Sequence, residues 1–167
     1  MQDISFKYDD FIRNNKINII FDEVIKIKFD KKVIFSKNTN INYDKLIISP
    51  GIQLDSSDIE GFSNDFGNSL YTAWQAGEET LNFSKEIKSV EDGDNIIITI
   101  PLSPYRCPPG PYERSSLIAD FIKRNNIKAK VIVLDANQKI VSKGSLFKKA
   151  WEDLYSDIIS YKTDSQI

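Results

Sequence analysis

A chain of 167 residues, 41% hydrophobic and 28% charged, can build one ordinary folded domain or parts of two, and is not the composition of a disordered segment. With a formal net charge of −2 and Lys and Arg spread along the chain, nothing suggests an electrostatic nucleic-acid partner. With no histidine and one cysteine, the chain has no internal disulfide, no zinc or haem site, and no Ser-His or Cys-His catalytic pair.

The start, MQDISFKYDD, has no basic end followed by an apolar stretch, which reads as a cytoplasmic chain or one whose true N-terminus is missing. Residues 8–15 (YDDFIRNN) read as a helix end with Asn14-Asn15 as its stop. Three short β-type runs follow: INIIF (17–21), VIKIKF (24–29) and KVIF (32–35), with Asp30-Lys31-Lys32 as a hairpin turn. YDKLIIS (43–49) reads as a strand ended by the breaker pair Pro50-Gly51. Residues 52–68 form a polar connection and the candidate domain boundary, and a helix is expected across 70–90. NIIITI (95–100) is a continuous β-branched run, the pattern of a parallel strand buried on both faces. Next come a proline-rich loop, a helix over 112–126 with Leu117, Ile118, Phe121 and Ile122 as its apolar stripe, a strand at 129–135 and a helix at 145–155. Strand, loop, helix, strand is a βαβ unit, so the second part of the chain is α/β with a parallel sheet. No apolar run approaches the roughly 20 residues of a membrane helix.

In a dinucleotide-binding βαβ unit the first strand runs into a glycine-rich turn, and a helix N-terminus receives the pyrophosphate. Here strand 95–100 runs into PLSPYRCPPGPYER, where only Gly110 is present, between Pro109 and Pro111. Proline has no amide hydrogen to offer a phosphate, so the cradle is filled in. Asp135 ends the next strand, where such folds place a ribose-binding acid; without the glycines it reads as a topological echo. What the loop offers instead is a thiol, Cys107, ahead of a helix and close in sequence to Arg106 and Arg114. Glu113, in the first turn of that helix, is a candidate proton acceptor. A buried structural cysteine in a stiff loop, with Glu113 merely favourable at a helix start, is the competing reading of the same residues.

The loop RCPPGPYERSS (106–116) resembles that of the flavoprotein subunit of flavocytochrome c sulfide dehydrogenase. YDKLIISPGIQLD (43–55), IEGF with AWQAGEET (59–62 and 73–80) and KVIVLDANQKIVSKGSLFKKAWEDLY (130–155) agree with that family in the same order. The resemblance implies an α/β, partial two-dinucleotide-binding-domain flavoprotein fold, an internal stretch of a longer chain. Residues 1–52 would be the end of the first FAD-domain segment, 53–68 the inter-domain crossing, and 69–167 most of a parallel-sheet NAD-like domain that binds no nicotinamide. By the same resemblance, Cys107 is half of a redox-active disulfide beside the flavin, and Glu113 is an acid that handles protons there. Val24 matches a position whose backbone lies near the adenine, and Pro50 and Gly51 match a strand end passing close to FAD. An ordinary strand residue and an ordinary turn remain the alternatives for these three. Trp74 lies either near the flavin or in the core. The family implies FAD in the full-length protein, hydrosulfide as substrate, a c-type cytochrome subunit as partner and a periplasmic location. Without the phosphate-binding glycines, weak or no FAD binding is expected of this chain alone. The other readings are a sulfide:quinone oxidoreductase or type II NADH dehydrogenase, which share the architecture, and a non-catalytic remnant or partner-binding module.

Overall fold

A computed structural model of the chain describes residues 6–55, 59, 70–72, 74 and 76–165. The chain divides into two compact units, Met1–Leu54 and Asp55–Ile167. The inter-domain connection expected at 53–68 lies largely outside the described residues.

In the first unit, α1 (Tyr8–Asn15) ends where Lys16 takes a left-handed conformation. A three-stranded antiparallel sheet follows, β1 (Val24–Lys28), β2 (Val33–Ser36) and β3 (Asn40–Asn42), in that order. β1 and β2 form the expected hairpin, with Ile27 opposite Ile34 and Lys28 opposite Val33. Its turn closes with the Lys32 amide donating to the Phe29 carbonyl at 3.3 Å, with Lys32 at φ +49°. Asp22 organises the β2–β3 turn, accepting from Ser36 Oγ at 2.6 Å and from the Asn38 amide at 2.9 Å. The Ser36 hydroxyl, and then the Asn38 amide, hold its carboxyl below the usual carboxylate range.

Two expected strands are absent here. Residues 17–21 and 43–49 are irregular, and the short polar β3 takes the third place in the sheet. A strand exists only where another backbone accepts and donates its hydrogen bonds, and these two apolar runs have no such neighbour among the described residues. Ile20, Phe21, Ile47 and Ile48 are consequently exposed, Ile47 at 92%.

The second unit is α2 (Glu78–Lys88), β4 (Asn95–Ile100), α3 (Gly110–Arg124), β5 (Lys130–Asp135), α4 (Gly144–Leu154) and β6 (Ile159–Lys162). The sheet is parallel, in the order β4-β5-β6. α2 is shorter than the helix expected from residue 70, because Gly77 at φ +110° precedes its first turn. β5 lies in the middle, with Val131 and Val133 fully buried. β4 is an edge strand whose residues alternate between exposure and burial, with Ile97 60% exposed; it is parallel as expected, but not covered on both faces. β6 was not foreseen, since ISYK is too short and too polar to stand out.

α3 lays Ser115, Ile118, Ala119 and Ile122 into the core, at the i, i+3, i+4, i+7 spacing of one helical face. That face is rotated from the expected stripe: Leu117 is 70% exposed, and with Phe121 it borders a shallow apolar groove of about 310 Å³ against α2. On the other side of the core the rings of Tyr112, Phe147, Trp151 and Tyr161 pack with centroids 5.6–6.3 Å apart. The Trp151 Nε1–H donates to Ser116 Oγ at 2.9 Å, so its buried polar atom is satisfied. Among the described residues no helix is long and apolar enough to cross a membrane.

Candidate functional site

The carboxyl end of β4 delivers the chain into residues 101–109, and α3 begins immediately after. Cys107 stands in this loop at φ +55°, a left-handed conformation that costs a non-glycine residue about 1–2 kcal/mol. Its carbonyl accepts the Gly110 amide at 2.8 Å, and the Pro109 carbonyl accepts the Glu113 amide at 2.9 Å. With Pro111 lacking an N–H altogether, these donors at the start of α3 are already taken or missing. Where a nucleotide fold presents amides to a phosphate, the Gly110 amide is thus taken by the chain's own backbone and Pro111 has none to offer. The Cys107 side chain is exposed, so the buried structural cysteine does not describe this residue. Glu113 is exposed in the first turn of α3, and Arg106 is also exposed.

Trp74 belongs to the surroundings of this loop. A Cβ added at Gly110 would meet Trp74 Cη2 at 2.5 Å and Cys107 Sγ at 3.3 Å, so the indole and the thiol flank one point that only glycine leaves open. Trp74 is 41% exposed, hence not a core residue. Its ring is covered by the Arg114 guanidinium, 4.9 Å from the centroid, and Arg114 Nη1 donates to the Thr72 carbonyl at 3.3 Å. Burial pulls the Arg114 guanidinium down from its ordinary value, while Glu79 and Cys107 favour its charge.

Beneath the loop lies a buried polar cluster centred on Asp135, which is fully inaccessible to solvent. Its Oδ2 accepts from the Tyr112 hydroxyl at 2.7 Å and from the Tyr161 hydroxyl at 2.8 Å. Its Oδ1 accepts from the Asn137 amide at 2.9 Å and from Asn137 Nδ2 at 2.8 Å. A carboxylate has about four acceptor sites, and here all are occupied by protein groups. The acid at the ribose position has become a structural anchor. Burial first, then the neighbouring Tyr105 hydroxyl and Asp135, push the Tyr112 phenol far above its usual range; burial and Asp135 do the same to Tyr161.

Val24, Pro50 and Gly51 lie in the first unit, and Cys107 and Glu113 in the second. Val24 opens β1 next to an irregularity in the β1–β2 register and is 53% exposed. Pro50 and Gly51 are exposed, with Gly51 at φ +79° and open space where a side chain would be.

The residues that sequence reasoning passed over are Tyr105, Tyr112, Asn137 and Tyr161. Tyr105 and Tyr112 bracket the cysteine in PYRCPPGPY, and Asn137 follows Asp135 in DAN, so part of the signal was present. A tyrosine, however, reads as an ordinary amphipathic core residue until its hydroxyl has a visible partner.

Comparison with known proteins supplies the frame for this loop. The chain is 27% identical over 114 residues to "Sulfide:quinone oxidoreductase, mitochondrial" of Dictyostelium discoideum, an alignment covering 66% of this chain and 25% of that protein. The chain thus spans about a quarter of the length of the curated relative it matches. Residues 80–167, just over half of the chain and including the Cys107 loop, the Asp135 cluster and the whole β4-β5-β6 sheet, match the family described as "Sulfide dehydrogenase (flavocytochrome c) flavoprotein chain, central". With a filled-in phosphate turn, an exposed cysteine in its place and that match across both, the chain belongs to the family of the flavocytochrome c sulfide dehydrogenase flavoprotein.

Proposed function

We propose that this chain is the central part of a FAD-dependent flavoprotein that oxidises sulfide, with Cys107 as one half of a redox-active disulfide. The observation that carries the reading is the exposed Cys107 at the carboxyl end of a parallel strand, directly ahead of a helix, in the segment that matches the family. In α/β sheets that is where ligands are handled. The second cysteine of the pair lies outside this chain, which has only one.

The residues present fit FAD in part. Val24, Pro50 and Gly51 are exposed, and the open space beside Gly51 allows a flat ligand to come close. No glycine-rich turn is there to take a pyrophosphate, so the contribution of this chain to holding FAD is limited to such edge contacts. Bound FAD supplies a two-electron acceptor able to pass electrons on singly. The chemistry proposed for the protein is thiol–disulfide exchange. Hydrosulfide attacks one sulfur of the disulfide; a new S–S bond forms as the old one breaks. A persulfide remains on one cysteine and a thiolate leaves on the other, so sulfide is oxidised while the disulfide is reduced. Cys107 presents its sulfur from a loop pinned by prolines and by the Gly110 amide, which lowers the entropy lost in reaching the reactive geometry. Glu113, exposed one helical turn further on, is the proposed proton acceptor for hydrogen sulfide.

Electrons then pass to a c-type cytochrome subunit in the periplasm on this reading. The name of the Dictyostelium relative favours a second reading for the acceptor alone, a quinone. In the complete flavin-loaded protein, Cys107→Ser is expected to abolish sulfide-dependent flavin bleaching while leaving the flavin bound. Normal bleaching in that variant would sink the proposal. Turnover with cytochrome c against turnover with a soluble quinone separates the two acceptors.

A further inference from the structure

The Cys107 loop is anchored at both ends to one buried carboxylate. On the incoming limb, Asn137 Oδ1 accepts the Ser103 amide at 2.9 Å, and Asn137 Nδ2 donates to the Pro101 carbonyl at 2.9 Å. The same Nδ2 and the Asn137 backbone amide donate to Asp135 Oδ1. Across the cysteine, on the outgoing limb, the Pro108 carbonyl lies 3.2 Å from the Tyr105 hydroxyl, which is also 3.3 Å from the Tyr112 hydroxyl. Tyr112 spends its own hydrogen on Asp135 Oδ2, so toward Tyr105 it is an acceptor. The single Tyr105 hydrogen is therefore shared between Pro108 and Tyr112. Residues 101 and 103 before the cysteine, and 105 and 108 around it, all lead within two or three hydrogen bonds to Asp135.

Not every partner of the carboxylate reaches the loop. Tyr161 also donates to Asp135 Oδ2, at 2.8 Å, yet it comes from β6 and bonds no residue of the loop. The cluster thus contains two kinds of arm, one set tying β-strands together and one set reaching outward to the cysteine. Cys107 is held in a left-handed conformation, and a residue in such a state persists only when its surroundings fix it.

We propose that Tyr105 and Asn137 are positioning residues for Cys107, coupling the two limbs of its loop to the buried Asp135. The proposal deepens the redox reading given above and rests on it for its purpose, though the coupling itself does not depend on flavin or sulfide.

Because Cys107 is the only cysteine, a nitroxide methanethiosulfonate label attaches there in the full 167-residue chain without mutagenesis. The label's electron paramagnetic resonance spectrum reads the order of the loop. Wild type is expected to show a slow, immobilised component. Tyr105→Phe keeps the ring and loses only the hydroxyl, and is expected to speed nitroxide reorientation severalfold; Asn137→Ala is expected to do the same from the other limb. Tyr161→Phe removes a hydrogen bond from the same carboxylate oxygen and is expected to lower the unfolding midpoint while leaving the spectrum unchanged. The proposal is overturned by a wild-type spectrum for Tyr105→Phe, or by mobilisation in Tyr161→Phe as large as in Tyr105→Phe. Should Asn137→Ala fail to fold by far-ultraviolet circular dichroism, the comparison of the two tyrosine variants decides alone. Failure of the Cys107→Ser flavin-bleaching test would sink the redox reading without altering these spectra, so the two failures are distinguishable.

Discussion

Replacing Gly110 with alanine adds one carbon whose ideal position lies 2.5 Å from Trp74 Cη2, 3.1 Å from Trp74 Cζ2 and 3.3 Å from Cys107 Sγ. Non-bonded carbons settle at about 3.5–4.0 Å, so the indole has to retreat by about 1 Å or swing away. It is free to do so, being 41% exposed and contacted here by its far edge. Swinging away breaks the stacking with the Arg114 guanidinium, now 4.9 Å from the ring centroid, a loss of about 0.5–1 kcal/mol. Alanine returns about 0.4–1 kcal/mol by restricting the unfolded chain, and Gly110 is not at positive φ, so the new side chain brings no backbone strain. The two terms nearly cancel, and the urea-unfolding free energy should change by no more than about 0.5 kcal/mol. The local effect is the diagnostic one. Trp151, the other tryptophan, is only 6% exposed, so acrylamide quenching reports mainly on Trp74. A steeper quenching slope with almost unchanged stability is the expected result for Gly110→Ala. An unchanged slope together with a loss above about 2 kcal/mol would refute the reasoning, because the strain would then fall on the backbone.

Two further outcomes follow from other parts of the molecule. Tyr112 and Tyr161 hold their protons in the folded chain well after unfolded tyrosine begins to ionise near pH 10, so their contribution is complete below about pH 10 and declines above it, by about 1.4 kcal/mol per pH unit for each. Urea midpoints measured from about pH 9 to 11 should fall accordingly, and less steeply in Tyr161→Phe; a flat alkaline profile would contradict the cluster. Purified by itself, the chain should be colourless and lack a flavin absorbance band, whereas tight stoichiometric flavin would show that edge contacts suffice to hold it.

The βαβ unit was legible because its elements carry strong local signals. The run NIIITI, the proline-glycine loop and the 3.6-residue periodicity of α3 all point the same way. The hairpin of β1 and β2 was equally visible, from VIKIKF and the Asp30-Lys31-Lys32 turn. What composition cannot express is pairing. INIIF and KLIIS have every local property of a strand, yet a ladder needs a second backbone, and none of the described residues provides one. The same limit explains β4: its β-branched run fits a doubly covered strand, but its place at the edge of the sheet is a property of the neighbours. At the candidate site, Cys107 and Glu113 stand out through their chemistry. Their supports do not, because a hydroxyl from Tyr105 reaching Tyr112 across the loop, or from Tyr161 reaching Asp135 across 26 residues, finds its partner through geometry alone.

The saturation of Asp135 bears on the direction in which this kind of domain can change. Restoring a glycine turn between β4 and α3 would return amides to the helix start, but the acid needed for a ribose would still be committed to Tyr112, Tyr161 and Asn137. Releasing it means removing several partners together, since Oδ2 keeps one tyrosine donor when the other is lost and the Asn137 backbone amide stays on Oδ1 whatever the side chain. No single substitution therefore frees the carboxylate for a ribose. With the carboxylate committed to the core, the loop above it carries the sulfur without sharing that acid with a ligand.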